Sequence, residues 1–365
     1  MNSFYHSKYS SGRTRPPKKK SKGYAVIRYI LLVVLIIGLG AGYYIYNAMF
    51  NSNTWTPDDE PVSIYITPAD NFSTIRQKMY SKGLIVNRHT FEWLAERKDY
   101  PENIKTGHYQ VKNNMSNNEL INILRAGMQT PVDVVFNNIR TLPELSDKVS
   151  NQLLLDSSEI MKKLKDTSYL SQLGFDTTTI KSMFIPNTYE FYWTVTPNKF
   201  LQRMNKEYDK FWDKNRREKA EAMDFTPFEV TVLASIIEKE TNKTDEMPTI
   251  AGVYKNRLER NWRLQADPTL KYALNDFKIR RVLDAHKNID SPYNTYKNRG
   301  LPPGPICLPS IAAIDAVLDY EDHKYNYFVA KPDFSGYHSF SQTYAEHIRK
   351  AKEYQRALNQ KRIYN

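Results

Sequence analysis

The run "YILLVVLIIGLGAGYYIYNAMF", Tyr29 to Phe50, contains no charged residue, and nothing else in the 365-residue chain limits it as strongly. It matches the ~20 apolar residues that a helix needs to cross the hydrocarbon core of a bilayer. Tyr43, Tyr44 and Tyr46 stand near its end, where aromatic rings anchor a span at the lipid–water boundary. A cleaved secretory signal is the competing reading, but it has a shorter apolar core and a small-residue cleavage site. An uncleaved, single-pass transmembrane helix over 29–50 is expected.

The charge pattern sets the direction of that span. The net charge is +12, from 52 Lys and Arg against 40 Asp and Glu. Lys8, Arg13, Arg15, Lys18, Lys19, Lys20, Lys22 and Arg28 all precede the apolar run, with no acidic residue among them. Without these eight, 44 basic residues face 40 acidic ones. The basicity is therefore a topology signal, which keeps a basic tail over 1–28 in the cytoplasm and places the rest of the chain beyond the membrane. A nucleic-acid partner is not expected. Cys307 is the single cysteine, so no intrachain disulfide can form and the redox compartment is unreadable.

Beyond the span, "NSNTWTPDDEPV" reads as a polar tether over 51–60. "SIYIT" and "TGHYQV" alternate like strands. "FSTIRQKMYSKG", "RHTFEWLAERK" and "SNNELINILRAG" read as helices, the first and third closed by Gly83 and Gly127. These make a small α+β module over 61–128. "PVDVVF" opens a second region, 129–365, and Thr141 and Glu144 have capping-box spacing. "MFIPNTYEFYWTVTP" reads as an aromatic loop. Helices dominate from Phe200 to Arg260, loops follow, "YNYFVA" and "GYHSF" suggest a hairpin, and a charged helix ends the chain. The fold class is α+β.

The stretch "TPFEVTVLASIIEKET", Thr226 to Thr241, concentrates the chemistry. Thr226, Pro227 and Glu229 form a helix start, and the apolar residues that follow leave no polar face, as in a buried helix. Glu238 and Glu240 diverge by about 160° at about 100° per residue, so a paired-carboxylate site built from these two is not expected. Glu238 stacks over Ala234 and Ser235, with Thr231 below, a narrow face with room for a ligand. Glu240 stacks over Leu233, Ile236 and Ile237, which read as core. A partly desolvated carboxyl keeps its proton to higher pH, as a general acid requires. The bland alternative is that both are ordinary helix-end residues.

"LASIIEKET", "RLQADPTLKYAL", "SPYNTYKNRGLPPGPI" and "YNYFVA…HSF" follow in this order over roughly a hundred residues. Together with "FIPNTYEFYW" and the anchor, they resemble the endolytic murein transglycosylases of the MltG (YceG-like) family. Members of that family more often carry Asp where this chain has Asn187. The resemblance implies a lyase of the bacterial cytoplasmic (inner) membrane with its catalytic domain on the periplasmic side. It implies internal cleavage of nascent peptidoglycan glycan strands between MurNAc and GlcNAc, leaving 1,6-anhydro-MurNAc ends. It further implies a LysM-like module over 61–128, no cofactor, and partners among the peptidoglycan synthases and transpeptidases. The catalytic glutamate is implied to fall on Glu238.

Glu240 is a candidate for substrate binding, and the other candidates for that role rest on residue chemistry. Arg263, Gln265 and Asp267 lie in a loop after a helix, although Asp267-Pro268 also fits a simple helix start. Asn294, Thr295 and Tyr296, with "LPPGP", form a rigid polar loop suited to sugar hydroxyls or to a structural turn. His338 fits a ligand contact or ordinary packing. The seven histidines show no metal-ligand spacing, so no metal is expected. Two other functions remain open: a water-using muramidase with Glu190 or Asp267 as second carboxylate, and a non-catalytic peptidoglycan-binding scaffold.

Overall fold

The computed structural model describes Met1, Gly12, residues 22–279 and residues 282–361. Most of the basic tail, Lys8 through Lys20, lies outside the described residues. Helix α1, Lys22–Phe50, contains the one described helix long and apolar enough to cross a membrane, over Val26–Phe50 with a mean hydropathy of 2.2. None of that stretch's apolar window is buried within the protein.

The chain divides into two compact units, residues 1–105 with 109–128, and residues 106–108 with 129–365. In the first, β1 (Val62–Ile66), α2 (Phe72–Ser81), α3 (Arg88–Arg97), β2 (Gly107–Val111) and α4 (Asn117–Ala126) follow α1, and β1 pairs with β2. Alternation on β1 buries Ile64 and Ile66 and exposes Tyr65. They join Phe91, Leu120 and Leu124 in one core. Asn71 and Thr74 cap α2 reciprocally, and Gly127 ends α4 at φ 71°, where a Cβ would be strained. The 51–60 stretch, expected as a free tether, is instead packed onto the module. Asn53, Thr54 and Thr56 are buried. Asn53 Nδ2 donates to Asn117 Oδ1 at 2.6 Å, and Asn117 Nδ2 donates to the Ala48 carbonyl at 2.9 Å. Short polar side chains read as linker in sequence, but here they satisfy buried backbone groups where α1 meets the module.

The second unit opens with β3 (Val132–Phe136), α5 (Leu142–Ser150), α6 (Ser157–Leu164), α7 (Thr167–Gln172) and β4 (Asn187–Phe191). The aromatic stretch expected as a loop thus contains a strand, antiparallel to β3 with Val134 opposite Tyr189. Tyr189 and Phe191 face the core while Asn187, Thr188 and Glu190 face solvent. Aromatic residues on both sides of that pleat hide the two-residue period. Helices α8 (Pro197–Phe211), α9 (Lys214–Ala222), α10 (Pro227–Glu240), α11 (Met247–Glu259), α12 (Asp267–Ala273) and α13 (Ile311–Leu318) follow. The hairpin β5 (Tyr327–Ala330) and β6 (His338–Ser341) and the terminal helix α14 (Tyr344–Gln360) complete the unit.

Helix α10 is the hub of this unit. Thr226 and Glu229 form the expected capping box, and every residue from Val230 to Ile237 is buried. α9, α11, α12 and α13 all pack against it. The helix stops at Glu240, with Glu238 and Glu240 in its last turn where that packing ends.

Candidate active site

Glu238 and Glu240 leave the last turn of α10 toward different neighbours. Glu238 Oε2 accepts from the Ser310 hydroxyl at 2.6 Å and from the Ser310 N–H at 3.2 Å. Ser310 is the N-cap of α13, its hydroxyl also accepting from Ala313 N–H at 3.2 Å. A carboxylate here complements both the unpaired donors and the positive end of that helix. Glu238 also lines a polar cleft of about 570 Å³ with Asn137, Asn138, Asn242 and Ser310.

The face beneath Glu238 differs from expectation. Thr231, Ala234 and Ser235 are fully buried. The Ser235 hydroxyl accepts from Ile306 N–H at 3.0 Å, and its carbonyl lies 3.4 Å from Cys307 Sγ. Small side chains on a helix admit a close neighbouring backbone as readily as a ligand, and here they admit the 305–308 segment. Burial there pushes the Cys307 thiol up to about 12.

Glu240 has the opposite setting. Its residue keeps an edge at the surface, but its carboxyl is packed at the rim of the core. The Tyr254 hydroxyl on α11 donates to Oε1 at 2.7 Å. Burial raises the carboxyl pKa to about 7; the Tyr254 hydrogen bond works against this, Asp267 raises it further, and Arg257 and Lys271 lower it. Buried beside this carboxyl, the Tyr254 phenol is itself held well above its ordinary range, chiefly by desolvation. A carboxyl near 7 is half-protonated at neutral pH, which suits a group that must both give and take a proton.

Of the sequence candidates, Asp267 and Tyr296 lie close enough to Glu240 to interact with its charge. Asp267 is exposed at the start of α12, preceded by Ala266 as N-cap, so it is not the cap residue. Its Oδ1 accepts from the Tyr296 hydroxyl at 2.6 Å. Burial and that bond raise the Tyr296 phenol far above its ordinary value. Gln265 is exposed at φ 51°, its N–H bonded to the Thr295 carbonyl at 3.1 Å. Arg263 is exposed on the same loop.

Other candidates serve the scaffold. Asn294 is buried, its amide donating to the carbonyls of Lys287 at 2.9 Å and Ile289 at 2.8 Å while Oδ1 accepts from Tyr296 N–H at 3.0 Å. Thr295 is buried, its hydroxyl accepting from Ala266 N–H at 3.0 Å and lying 2.8 Å from Thr269 Oγ1. The polar atoms of these two residues hold the 291–298 loop against the start of α12. Most of the "LPPGP" segment is likewise buried, with Lys181 donating to the Pro305 carbonyl at 2.7 Å. His338 on β6 is half-buried, its Nδ1 2.7 Å from Glu246 Oε2 and its backbone N–H donating to Oε1 at 2.6 Å. Glu246 is buried, so this pair fastens the hairpin to the segment after α10. Glu190 faces a different cleft, with Gln129, Thr194 and Arg203. Asn187 is exposed on β4.

Tyr254, Ser310 and Glu246 escaped the sequence reading, because each acts on a carboxyl or histidine distant in the chain. Nothing local marks Tyr254 among the buried residues of α11. Among the described residues, no group of three His, Cys, Asp or Glu side chains is placed to hold a metal ion.

Fold and site define a mixed α+β protein with one N-terminal apolar helix and a raised-pKa carboxyl at the end of a buried helix. The sequence model of the YceG-like family matches residues 64–353, and the chain belongs to that family. It is 28% identical over 334 residues to the endolytic murein transglycosylase of Streptococcus pneumoniae serotype 2 strain D39, covering 82% of this chain and 60% of the relative. The chain thus spans less than two thirds of that relative's length. To the endolytic murein transglycosylase of Bacillus subtilis strain 168 it is 26% identical over 343 residues, covering 90% of this chain and 93% of the relative. The crystal structure of a yceG-like protein of Listeria monocytogenes superposes with a TM-score of 0.55 at 27% identity, covering 80% of this chain and 98% of that one.

Proposed function

We propose that this chain is a membrane-anchored lytic transglycosylase that cuts peptidoglycan glycan strands internally, with Glu240 as its acid–base group. The observation that carries the reading is the Glu240 carboxyl at the core rim, bonded by the Tyr254 hydroxyl at 2.7 Å and near the exposed Asp267, where burial raises it to about 7. The relatives named endolytic murein transglycosylase support the substrate and the reaction class. In the proposed reaction Glu240 gives its proton to the glycosidic oxygen as the bond to MurNAc C1 breaks. The C6 hydroxyl of the same sugar then closes on C1 and returns its proton to the carboxylate. A 1,6-anhydro-MurNAc end results and no water is consumed. The nucleophile belongs to the substrate, so its effective concentration is high and no second carboxylate is needed.

Glu238, on which the family resemblance sets the catalytic role, is the second candidate for the same step, and the polar cleft it lines favours it. Its two bonds to Ser310 fix that side chain against the start of α13. A water-using muramidase with Asp267 as partner is favoured by the closeness of Asp267 to Glu240. Mass spectrometry of products from uncrosslinked strands decides: anhydro ends support the transglycosylase, reducing ends the muramidase, and no fragments a non-catalytic scaffold.

The rest of the reading concerns placement. α1 holds the enzyme in the cytoplasmic membrane with the basic tail inside and the catalytic unit outside. It thereby meets newly made strands, where cutting ends their growth in concert with the synthases and transpeptidases. The 61–128 module is LysM-like and holds glycan. Deleting it should raise the KM for long strands by about 10-fold or more through lost effective concentration, with the product ends unchanged. Equal kinetics from a deletion with a native circular-dichroism spectrum refutes the glycan-holding role.

A further inference from the structure

We infer that the small pocket ringed by Arg140, Lys239 and Lys271 binds a carboxylate of the peptide that the muramoyl residue carries. The inference rests on the transglycosylase reading and specifies what the substrate must bear.

The pocket, about 100 Å³, lies between the N-terminal end of α5, the last turn of α10 and α12. Three cationic side chains and no carboxylate line it among the described residues. None of the three cations is ion-paired among the described residues. The Lys239 ammonium donates to Asn138 Oδ1 at 2.7 Å, and the Arg140 guanidinium stacks over the Phe277 ring at 4.6 Å. Stacking engages the guanidinium's face and leaves its in-plane N–H fork for an acceptor. Three half-buried cations around one small space repel each other, and an anion between them relieves that repulsion. The only carboxylate lining the neighbouring cleft among the described residues, Glu238, is bonded to Ser310.

The shape selects the kind of anion. Pro268, Phe277 and Ile306 form an apolar wall. A pocket of this size takes a carboxylate and an adjoining methyl group, as at the end of a peptide closing in alanine. A neutral sugar ring does not need three cations, and a bare inorganic anion leaves the apolar wall unused.

The location agrees with the chemistry of a peptide-bearing strand. Arg140 and Lys239 are shared with the Glu238 cleft. On the other side, Pro268 follows Asp267 and Lys271 lies close enough to act on the Glu240 carboxyl. The muramoyl peptide leaves the sugar through its C3 lactyl group, on the same ring whose C1 is cut. An anion site beside the acid is therefore where the peptide of the reacting sugar, or of its neighbour, can reach.

The test uses full-length protein in detergent. Binding of uncrosslinked glycan strands is measured to the Glu238→Gln/Glu240→Gln double variant by calorimetry, with strands carrying their peptides, strands with the peptides removed by an amidase, and strands whose peptide carboxylates are amidated. Peptide-bearing strands should bind roughly 10-fold or more tightly than the other two, the scale of a charge-assisted hydrogen bond. Adding Arg140→Gln or Lys271→Gln should bring the three affinities together, and Arg140→Lys should restore part of the difference. In the active enzyme the ratio of kcat/KM between peptide-bearing and peptide-free strands should fall toward one in the same variants. Equal affinity for all three strands, a preference that survives amidation, or a preference that survives both Gln variants overturns the inference. Because the binding arm needs no turnover, it stands or falls separately from the acid–base assignment. A protein that cuts strands but ignores their peptides refutes only this inference, and one that binds peptide carboxylates but cuts nothing refutes only the reaction.

Discussion

Glu238 and Glu240 are separated by one lysine, and their surroundings differ in every respect that governs a carboxyl. On the Glu238 side, a backbone N–H and a hydroxyl at the start of α13 point at one oxygen. On the Glu240 side, core residues and a tyrosine surround the group, and burial outweighs the single hydrogen bond, lifting the carboxyl to about 7. The helix makes this possible by ending at the edge of its own packing, so that adjacent turns meet a helix N-terminus in one direction and the core rim in the other. Proximity in sequence is thus a poor guide to chemical role, and the partner elements decide it.

The largest test of this contrast is the pair of isosteric variants. Glu240→Gln should lose about 10²–10⁴-fold in kcat, the usual worth of general acid–base catalysis. Glu238→Gln should stay within about 10-fold of the parent. Activity measured by release of soluble fragments from uncrosslinked strands reverses the assignment if the two losses are exchanged.

Stability supplies the second test. The Glu240 carboxyl titrates near 4.5 when unfolded and near 7 when folded. The folded state therefore holds the proton more tightly, and its contribution is full below about pH 4.5, declines up to about 7, and is gone above. Glu240→Gln removes this decline. Its unfolding free energy should rise relative to the parent between pH 5 and pH 8, by an amount on the order of 1–3 kcal/mol. A difference that is flat with pH breaks the contrast.

Ser310→Ala removes the cap of α13 and the hydroxyl that holds Glu238. It should cost about 1 kcal/mol in thermal or denaturant unfolding and leave the pH dependence of turnover unchanged. A moved pH profile would give Glu238 a part in the chemistry. The smallest effect is expected from Tyr254→Phe. The lost hydrogen bond lowers the Glu240 pKa, so its removal should move the alkaline limb of the pH–kcat profile to higher pH. A limb that moves to lower pH contradicts the arrangement.

Much of the fold is legible in the sequence because its signals are local. The capping box at Thr226, Gly127 after α4, and the alternation of Ile64 and Ile66 each predict their own element. The resemblance places the catalytic role on Glu238, and the helix wheel sends Glu238 and Glu240 to different neighbours, as the packing does. What escapes is anything set by a distant partner. β4 is read as loop because Tyr192 beside Tyr189 and Phe191 puts aromatic rings on both faces and hides which side has the core beneath it. Asn294 and Thr295 look like sugar ligands because an amide and a hydroxyl in a loop look the same whether they face solvent or brace a backbone.

The sequence by itself determined the apolar span, the charge asymmetry before it, the α+β class and the buried helix that ends in two carboxyls. These depend on composition and on periods of two and 3.6 residues, which a chain carries whatever it packs against. Only the tertiary structure decided that Ser310 meets Glu238, that Tyr254 and the core rim meet Glu240, and that Arg140, Lys239 and Lys271 converge on one pocket. Desolvation and the donors and charges around a group fix its proton affinity, and neighbours from far along the chain supply these only once the helices have packed.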